Sequence, residues 1–179
     1  MRRIFALLLS AVLALGLLAG CGKTQEDSQK QSDPFSDVSM AVVVAGTFGD
    51  RSFYDSSKEG ADRLAKDLGV QVKTIECNNV DHTQQIRNAA DAAGIVVLVG
   101  WEFYDVETVA PEYPDVHFIW IDNATSAPVA NVLNITYAQN EGSFLAGYIA
   151  AKMSQTGVVG AVGGEDTDTI NDFIVGYTQ

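Results

Sequence analysis

The sequence predicts an α/β fold built on a parallel sheet, and three observations carry that reading. Short apolar runs of strand length recur along the chain. Between them, apolar residues recur at the i, i+3, i+4, i+7 spacing of a helix with one buried face. The connecting stretches are short and punctuated by Gly, Pro, Asn and Asp. Strands alternating with helices imply βαβ units with right-handed crossovers.

Residues 40–45 open the fold as an apolar run ending at Gly46, the pattern of a strand buried on both faces. Ala61, Leu64, Ala65 and Leu68 form a helical stripe that Gly69 ends. Residues 70–77 alternate and are rich in Val and Ile, a second strand. Ile86, Ala89, Ala90 and Ala93 repeat the helical spacing before Gly94. Residues 95–99 make a third strand, stopped by Gly100, and Val106, Val109 and Ala110 mark a short helix before Pro111 and Pro114. Residues 116–121 form a fourth strand ending at Asp122, and 129–137 a fifth. The pattern then restarts. Residues 143–151 are almost wholly apolar, a helix expected to be buried on most sides. Residues 158–162 read as another strand, and Ile170, Phe173 and Ile174 begin a further helix. A single strand forms no sheet of its own, so the sequence reads as stopping partway into a second domain.

Composition narrows the function. Lys and Arg number 11 against 23 Asp and Glu, a formal charge of -12 on 179 residues, which leaves no electrostatic footprint for nucleic acid. The 47% hydrophobic fraction suffices for a core. Cys21 and Cys77 lie far apart and the histidines are only His82 and His117, so neither a disulfide framework nor a zinc site is expected. No metal and no cofactor is expected.

The start of the chain reads as a targeting segment. Arg2 and Arg3 precede an apolar run over 4–20, interrupted only by Ser10 and short for a membrane span. Leu18-Ala19-Gly20-Cys21 resembles the bacterial lipobox. The resemblance implies cleavage before Cys21 and an acyl (palmitate-type) anchor on its thiol; an uncleaved anchor helix is the alternative. Residues 21–38 are largely polar and read as a flexible tether. Loss of residues 1–20 takes Arg2 and Arg3 with it and moves the charge from -12 to -14. The domain plan is therefore a lipoprotein signal peptide over 1–20, a tether over 21–38, a first lobe over 39–137, and a hinge with the start of a second lobe over 138–179.

In a parallel sheet, ligands collect outside the carboxyl ends of the strands. The first four strands lead in turn into Gly46 to Tyr54, Asn78-Asn79, Gly100-Trp101-Glu102 and Asp122-Asn123. Rings, carboxylates and amides at one edge suit a small polar molecule with a flat part. Gly46-Thr47-Phe48-Gly49-Asp50-Arg51 is not a dinucleotide G-x-G-x-x-G fingerprint, and neither a Walker lysine motif nor a nucleophile elbow occurs. An enzyme is disfavoured.

Several stretches resemble the basic membrane protein (BMP) family of substrate-binding lipoproteins, the purine-nucleoside-binding proteins that feed ABC importers. Gly49-Asp50-Arg51-Ser52-Phe53 resembles the family's first-loop Gly-Asp-Lys-Ser-Phe-Asn motif, with Tyr54 in place of the Asn. Pro114-Asp115-Val116-His117-Phe118 leading to Ile121-Asp122 resembles its fourth strand. Glu141-Gly142-Ser143-Phe144-Leu145-Ala146-Gly147-Tyr148, the Gly157 to Gly164 stretch and Phe173-Ile174-Val175-Gly176-Tyr177 extend the likeness over about 39–179. The resemblance implies a periplasmic-binding-protein type I fold, Rossmann-like and two-lobed, with only lobe one complete here and a ligand clamped between lobes. It also implies ABC permease partners and a place on the extracytoplasmic face of a bacterial cell membrane. A sensor lipoprotein that signals to a membrane receptor fits the same features.

On that resemblance the candidate ligand contacts are Asp50, Phe53, Trp101, Asp122, Gly164 and Glu141, each with an ordinary structural alternative. Phe53 stacks on a purine or packs at the start of its helix. Asp50 accepts from the ligand or caps that helix. Asp122 holds ribose hydroxyls or forms a turn with Asn123. Trp101 walls the base or packs at the sheet edge. Gly163 and Gly164 let backbone approach the ligand or make a tight turn. Glu141 contacts ligand or caps the apolar helix.

Overall fold

The computed structural model describes Phe35 and residues 37–179. The expected signal peptide over 1–20, the expected lipidation at Cys21 and nearly all of the expected tether over 21–38 lie outside the described residues. Five parallel strands form one sheet: β1 (Ser39–Val44), β2 (Gln71–Glu76), β3 (Ile95–Val99), β4 (His117–Ile121) and β5 (Val132–Ile135), in the order β2-β1-β3-β4-β5. The registers Val42↔Thr74, Val42↔Val97, Val97↔Ile119 and Ile119↔Leu133 run straight across it. Helices α1 (Phe53–Leu68), α2 (His82–Ala90) and α3 (Val106–Val109) join the first four strands, α3 running into a 3-10 turn at Ala110–Glu112. Helices α4 (Gln139–Met153) and α5 (Asp168–Thr178) come after the sheet.

The alternation of side chains along each strand sorts the core into two faces. Ala41, Val43, Val96, Leu98, Phe118 and Trp120 point to one face and pack with Ile86, Ala89, Val106 and Val109 of α2 and α3. Val42, Val44 and Val99 point to the other, beneath Ala61 of α1. The double burial expected of β1 is present: Ala41 to Val44 are all buried. The α1 face is less completely covered towards β5, where Leu133 is 59% exposed.

Local chemistry ends the helices where the sequence indicates. Gly69 adopts a left-handed φ of 68° and its N–H closes on the Ala65 carbonyl at 3.1 Å, stopping α1. Asp81 caps α2 by accepting from the Gln84 N–H at 3.1 Å. Asn131 Nδ2 donates to the carbonyls of Ala110, Tyr113 and Val116 at 2.9, 3.0 and 2.8 Å, tying the turn after α3 to the start of β5.

Two expectations need correction beyond β5. Residues 158–162 form no strand; the segment is irregular and Val162 is fully exposed. A strand exists only through a neighbour's ladder, and no strand of the sheet pairs with these residues. The helix expected to be buried on most sides is α4, yet only Gly147 of it is buried. Leu145, Tyr148, Ile149 and Met153 are exposed. α4 packs chiefly on α5, where Gly147 and Gly176 allow backbone contact with Tyr177 and Asn140 that a Cβ would block.

Candidate functional site

The sheet order reverses between β1 and β3: from β1 the chain steps outward to β2, then returns past β1 to β3, β4 and β5. Such a switch point leaves a crevice outside the carboxyl ends of the strands, where ligands of open α/β sheets bind. Every non-glycine residue with left-handed φ among the described residues lies in the loops at this edge: Arg51, Asn78, Asn79, Asp81 and Asp122. Strained backbone of this kind concentrates at binding sites, where the surroundings hold it in place.

The loop after β1 is held by carboxylates. Glu76 Oε1 accepts from the Phe48 N–H at 2.6 Å, and Asp55 accepts from Gly49 at 2.7 Å and Arg51 at 2.9 Å. Asp50 accepts from the N–H groups of Ser52, Tyr54 and Asp55 at 2.9, 3.0 and 3.1 Å. Burial pushes the Asp50 carboxyl up, but these N–H donors, with that of Phe53, outweigh it and hold it below the ordinary value. The result is a preset start to α1 that presents Phe53 outward, 37% exposed.

Phe53 lines a cleft of about 520 Å³ together with Asp122, Tyr137, Gln139 and Phe173. Five elements meet there: the start of α1, the end of β4, the β5–α4 connection, the first turn of α4, and α5. Thr169 Oγ1 donates to the Asp122 carbonyl at 3.1 Å and ties α5 to the end of β4. Asp122 has φ 74° and its own N–H bonds the Ile135 carbonyl at 2.8 Å. Burial raises its carboxyl pKa. Gln139 Nε2 donates to Asp172 at 3.3 Å, while its Oε1 is buried without a partner. Three aromatic side chains and the acceptors of Asp122 and Gln139 therefore share one cleft, a set that can stack on a flat ring and accept from hydroxyl or N–H groups.

The sequence-derived candidates divide by position. Phe53 and Asp122 are brought together in the cleft. Asp50 occupies its carboxylate in capping α1. Trp101 stands on the same strand edge, its carbonyl bonded by Asn123 Nδ2 at 3.2 Å and its ring edge-on to Tyr104 at 6.1 Å. Glu141 is exposed in the first turn of α4, one residue before the cleft-lining Gly142. Gly164 borders a neighbouring hollow of about 220 Å³ that shares Phe173 with the cleft. A further hollow of about 380 Å³ between α4, residues 159–161 and the chain end, lined by Phe144, Tyr148 and Tyr177, lies apart from the strand edge. Among the described residues no group of His, Cys, Asp and Glu is arranged to hold a metal ion.

Sequence reasoning passed over Tyr137, Gln139 and Phe173. Gln139 falls in the stretch read as a hinge, and Phe173 in the stretch read as the start of a further helix. The usable signal was the resemblance around Phe173; periodicity alone assigns that side chain to a core.

Comparison with known proteins gives the family and agrees with the fold. The family model described as "ABC transporter substrate-binding protein PnrA-like" (Bmp) matches residues 37–179. Basic membrane protein A of Borreliella burgdorferi is 32% identical over 142 residues, covering 77% of this chain and 42% of that protein. The ABC transporter nucleoside-binding protein BmpA of Lactococcus lactis is 29% identical, covering 98% of this chain and 52% of that protein. Among solved structures, an ABC transporter solute-binding protein from Aeropyrum pernix superposes with a TM-score of 0.69 at 32% identity, over 78% of this chain and 41% of that one. The chain thus spans about half the length of the curated relatives it matches. The chain belongs to the Bmp family of PnrA-like ABC transporter substrate-binding proteins.

Proposed function

We propose that this chain supplies the ligand-binding lobe of a lipid-anchored, extracytoplasmic solute-binding protein of an ABC importer, and that its ligand is a nucleoside. The family is one of substrate-binding proteins rather than enzymes. The observation that carries the ligand class is the cleft itself, where Phe53, Tyr137 and Phe173 surround the acceptors Asp122 and Gln139. A purine ring stacks on an aromatic face, and a carboxylate accepts two ribose hydroxyls at once. A triphosphate is disfavoured, because the nearby carboxylates repel it and Arg51 is the only cation in the loop after β1. Support for the anchor comes from the Leu18-Ala19-Gly20-Cys21 stretch and from an uncharacterized lipoprotein of Pyrococcus furiosus that is 32% identical over 93% of this chain and 42% of its own length. No helix among the described residues is long and apolar enough to cross a membrane. Permease subunits of the importer are the proposed protein partners; neither nucleic acid nor a cofactor enters the reading.

Calorimetry on the full-length protein tests the ligand class. Nucleosides are expected to bind, with their triphosphates binding far more weakly. Tight binding of sugars or amino acids with no response to nucleosides would overturn the reading. Cys21→Ser is expected to abolish acylation, and normal amounts of acylated mature protein from that variant would remove the anchor from the proposal.

A further inference from the structure

The crevice between β1 and β3 holds a carboxylate that is not among the cleft-lining side chains. Glu102, in the loop after β3, folds back over the strand end, so that a Cβ on Gly100 would collide with its Oε2. Gly100 accommodates this with φ 124°, a conformation that L side chains rarely adopt. Oε2 is buried, and no hydrogen-bond donor among the described residues reaches it. The groups around it come from every neighbouring element. Tyr54 of α1 and Cys77 at the end of β2 lie close enough for the Glu102 charge to raise their pKa values. Burial raises the pKa of Glu102 itself; its own backbone N–H and then the His82 imidazole at the start of α2 oppose that rise, and Asp122 and Glu165 add to it. His82 Nε2 is also buried and unpartnered, its ring edge-on to Phe103 at 5.4 Å.

A buried carboxylate oxygen without a donor costs free energy, and here it sits at the switch point of the sheet, near enough to the cleft residue Asp122 for the two charges to interact. With Gln139 Oε1 it makes a second acceptor whose donor is missing. We infer that Glu102 is a specificity-determining residue that accepts a hydrogen bond from an N–H donor on the base of the bound nucleoside. This rests on the proposed nucleoside ligand and refines it: the ligand's base must carry a ring N–H or an exocyclic amino group. A site with a buried acceptor discriminates strongly, because an analogue lacking the donor leaves that acceptor unpaired.

The test is a ligand series measured by calorimetry on the full-length protein. Guanosine, inosine and adenosine carry base N–H donors; purine riboside has the same ring and ribose with none. The wild-type protein is expected to favour at least one of the donor-bearing nucleosides over purine riboside by about tenfold or more. Glu102→Met keeps the side-chain length and removes both oxygens. It is expected to bring that preference below about threefold while leaving purine riboside binding unchanged or tighter. Equal wild-type affinity for all four compounds would overturn the role of Glu102 and leave the nucleoside reading standing, as would a preference that survives in Glu102→Met. If the wild-type protein binds none of the four, the nucleoside reading and this inference fall together. Where Glu102→Met fails to fold, Glu102→Gln, which replaces one carboxylate oxygen by an amide donor, is expected to lower the preference as well, and an unchanged preference in it overturns the role of Glu102.

Discussion

Trp120→Phe probes the link between the core and the binding edge. The Trp120 side chain is fully buried, and its Nε1 donates to the Gly100 carbonyl at 2.8 Å. Its ring also meets Tyr104 edge-on at 5.7 Å. Phenylalanine fills most of the space but leaves the Gly100 carbonyl without its donor, a cost of about 1–3 kcal/mol for an unsatisfied buried group. The lost part of the ring adds about 1 kcal/mol of cavity cost, at ~24 cal/mol per Å³. The sum, about 2–4 kcal/mol, corresponds to a melting point lower by ~5–15 °C for a chain of this size. Urea denaturation monitored by circular dichroism gives the free energy, and the midpoint should shift without a change in slope. Trp101 is then the only tryptophan left, so its emission reports directly on the Gly100 loop and should change as that loop loosens. Trp101→Phe is the control: that side chain is half-buried, and its stability should stay within about 0.5 kcal/mol of wild type. A Trp120→Phe loss under about 0.5 kcal/mol with unchanged Trp101 emission would refute the idea that this bond anchors the loop.

Asp122→Asn should stabilise the fold at neutral pH. Burial raises the Asp122 pKa, so the folded state holds its proton more tightly than the unfolded chain, and stability falls as pH climbs from the unfolded value of 3.8 through the raised one. The gain from Asn should therefore be full at pH 7 and vanish below the unfolded value, as thermal melts across pH would show; an equal gain at all pH values contradicts it. Nucleoside affinity should fall in the same variant. Cys77 is buried and its thiol is pushed up to about 11 by burial and then by Glu102, so alkylation by iodoacetamide at pH 8 should proceed only as the protein unfolds. Fast labelling of Cys77 in the native Cys21→Ser protein would show the β2 end to be open. The exposed apolar residues Leu145, Ile149, Met153, Val158 and Val162 should make residues 21–179 self-associate in light scattering, more than a chain ending at Tyr137. Equal monomeric behaviour of the two would show that this face is harmless.

The alternation of strands and helices was legible because it is written in local periodicity. Apolar runs over β1, β3 and β4, a two-residue alternation over β2, a helical repeat over α1 and α2, and turn residues such as Gly69 and Gly94 each act within one turn or one strand. The binding edge came from that alternation, since parallel strands place all their carboxyl ends on one side. Phe53 and Asp122 were accessible to reasoning for this reason. By itself, then, the sequence determined the element order as far as β5, the double burial of β1 and the edge on which the candidate ligand contacts lie.

Tertiary structure decided what depends on contacts between distant segments. Asp50 and Asp122 look alike as carboxylates after strands, yet three N–H groups occupy the first, while no hydrogen-bond donor among the described residues reaches the second. Glu102 became notable only once its side chain was seen to fold over Gly100 at a switch point that the strand order creates. Residues 158–162 have the composition of a strand and form none, because a strand requires a partner's ladder and composition cannot supply one. Hydrogen-bond pairing and burial are properties of the assembled sheet; periodicity states only which residues are available for them.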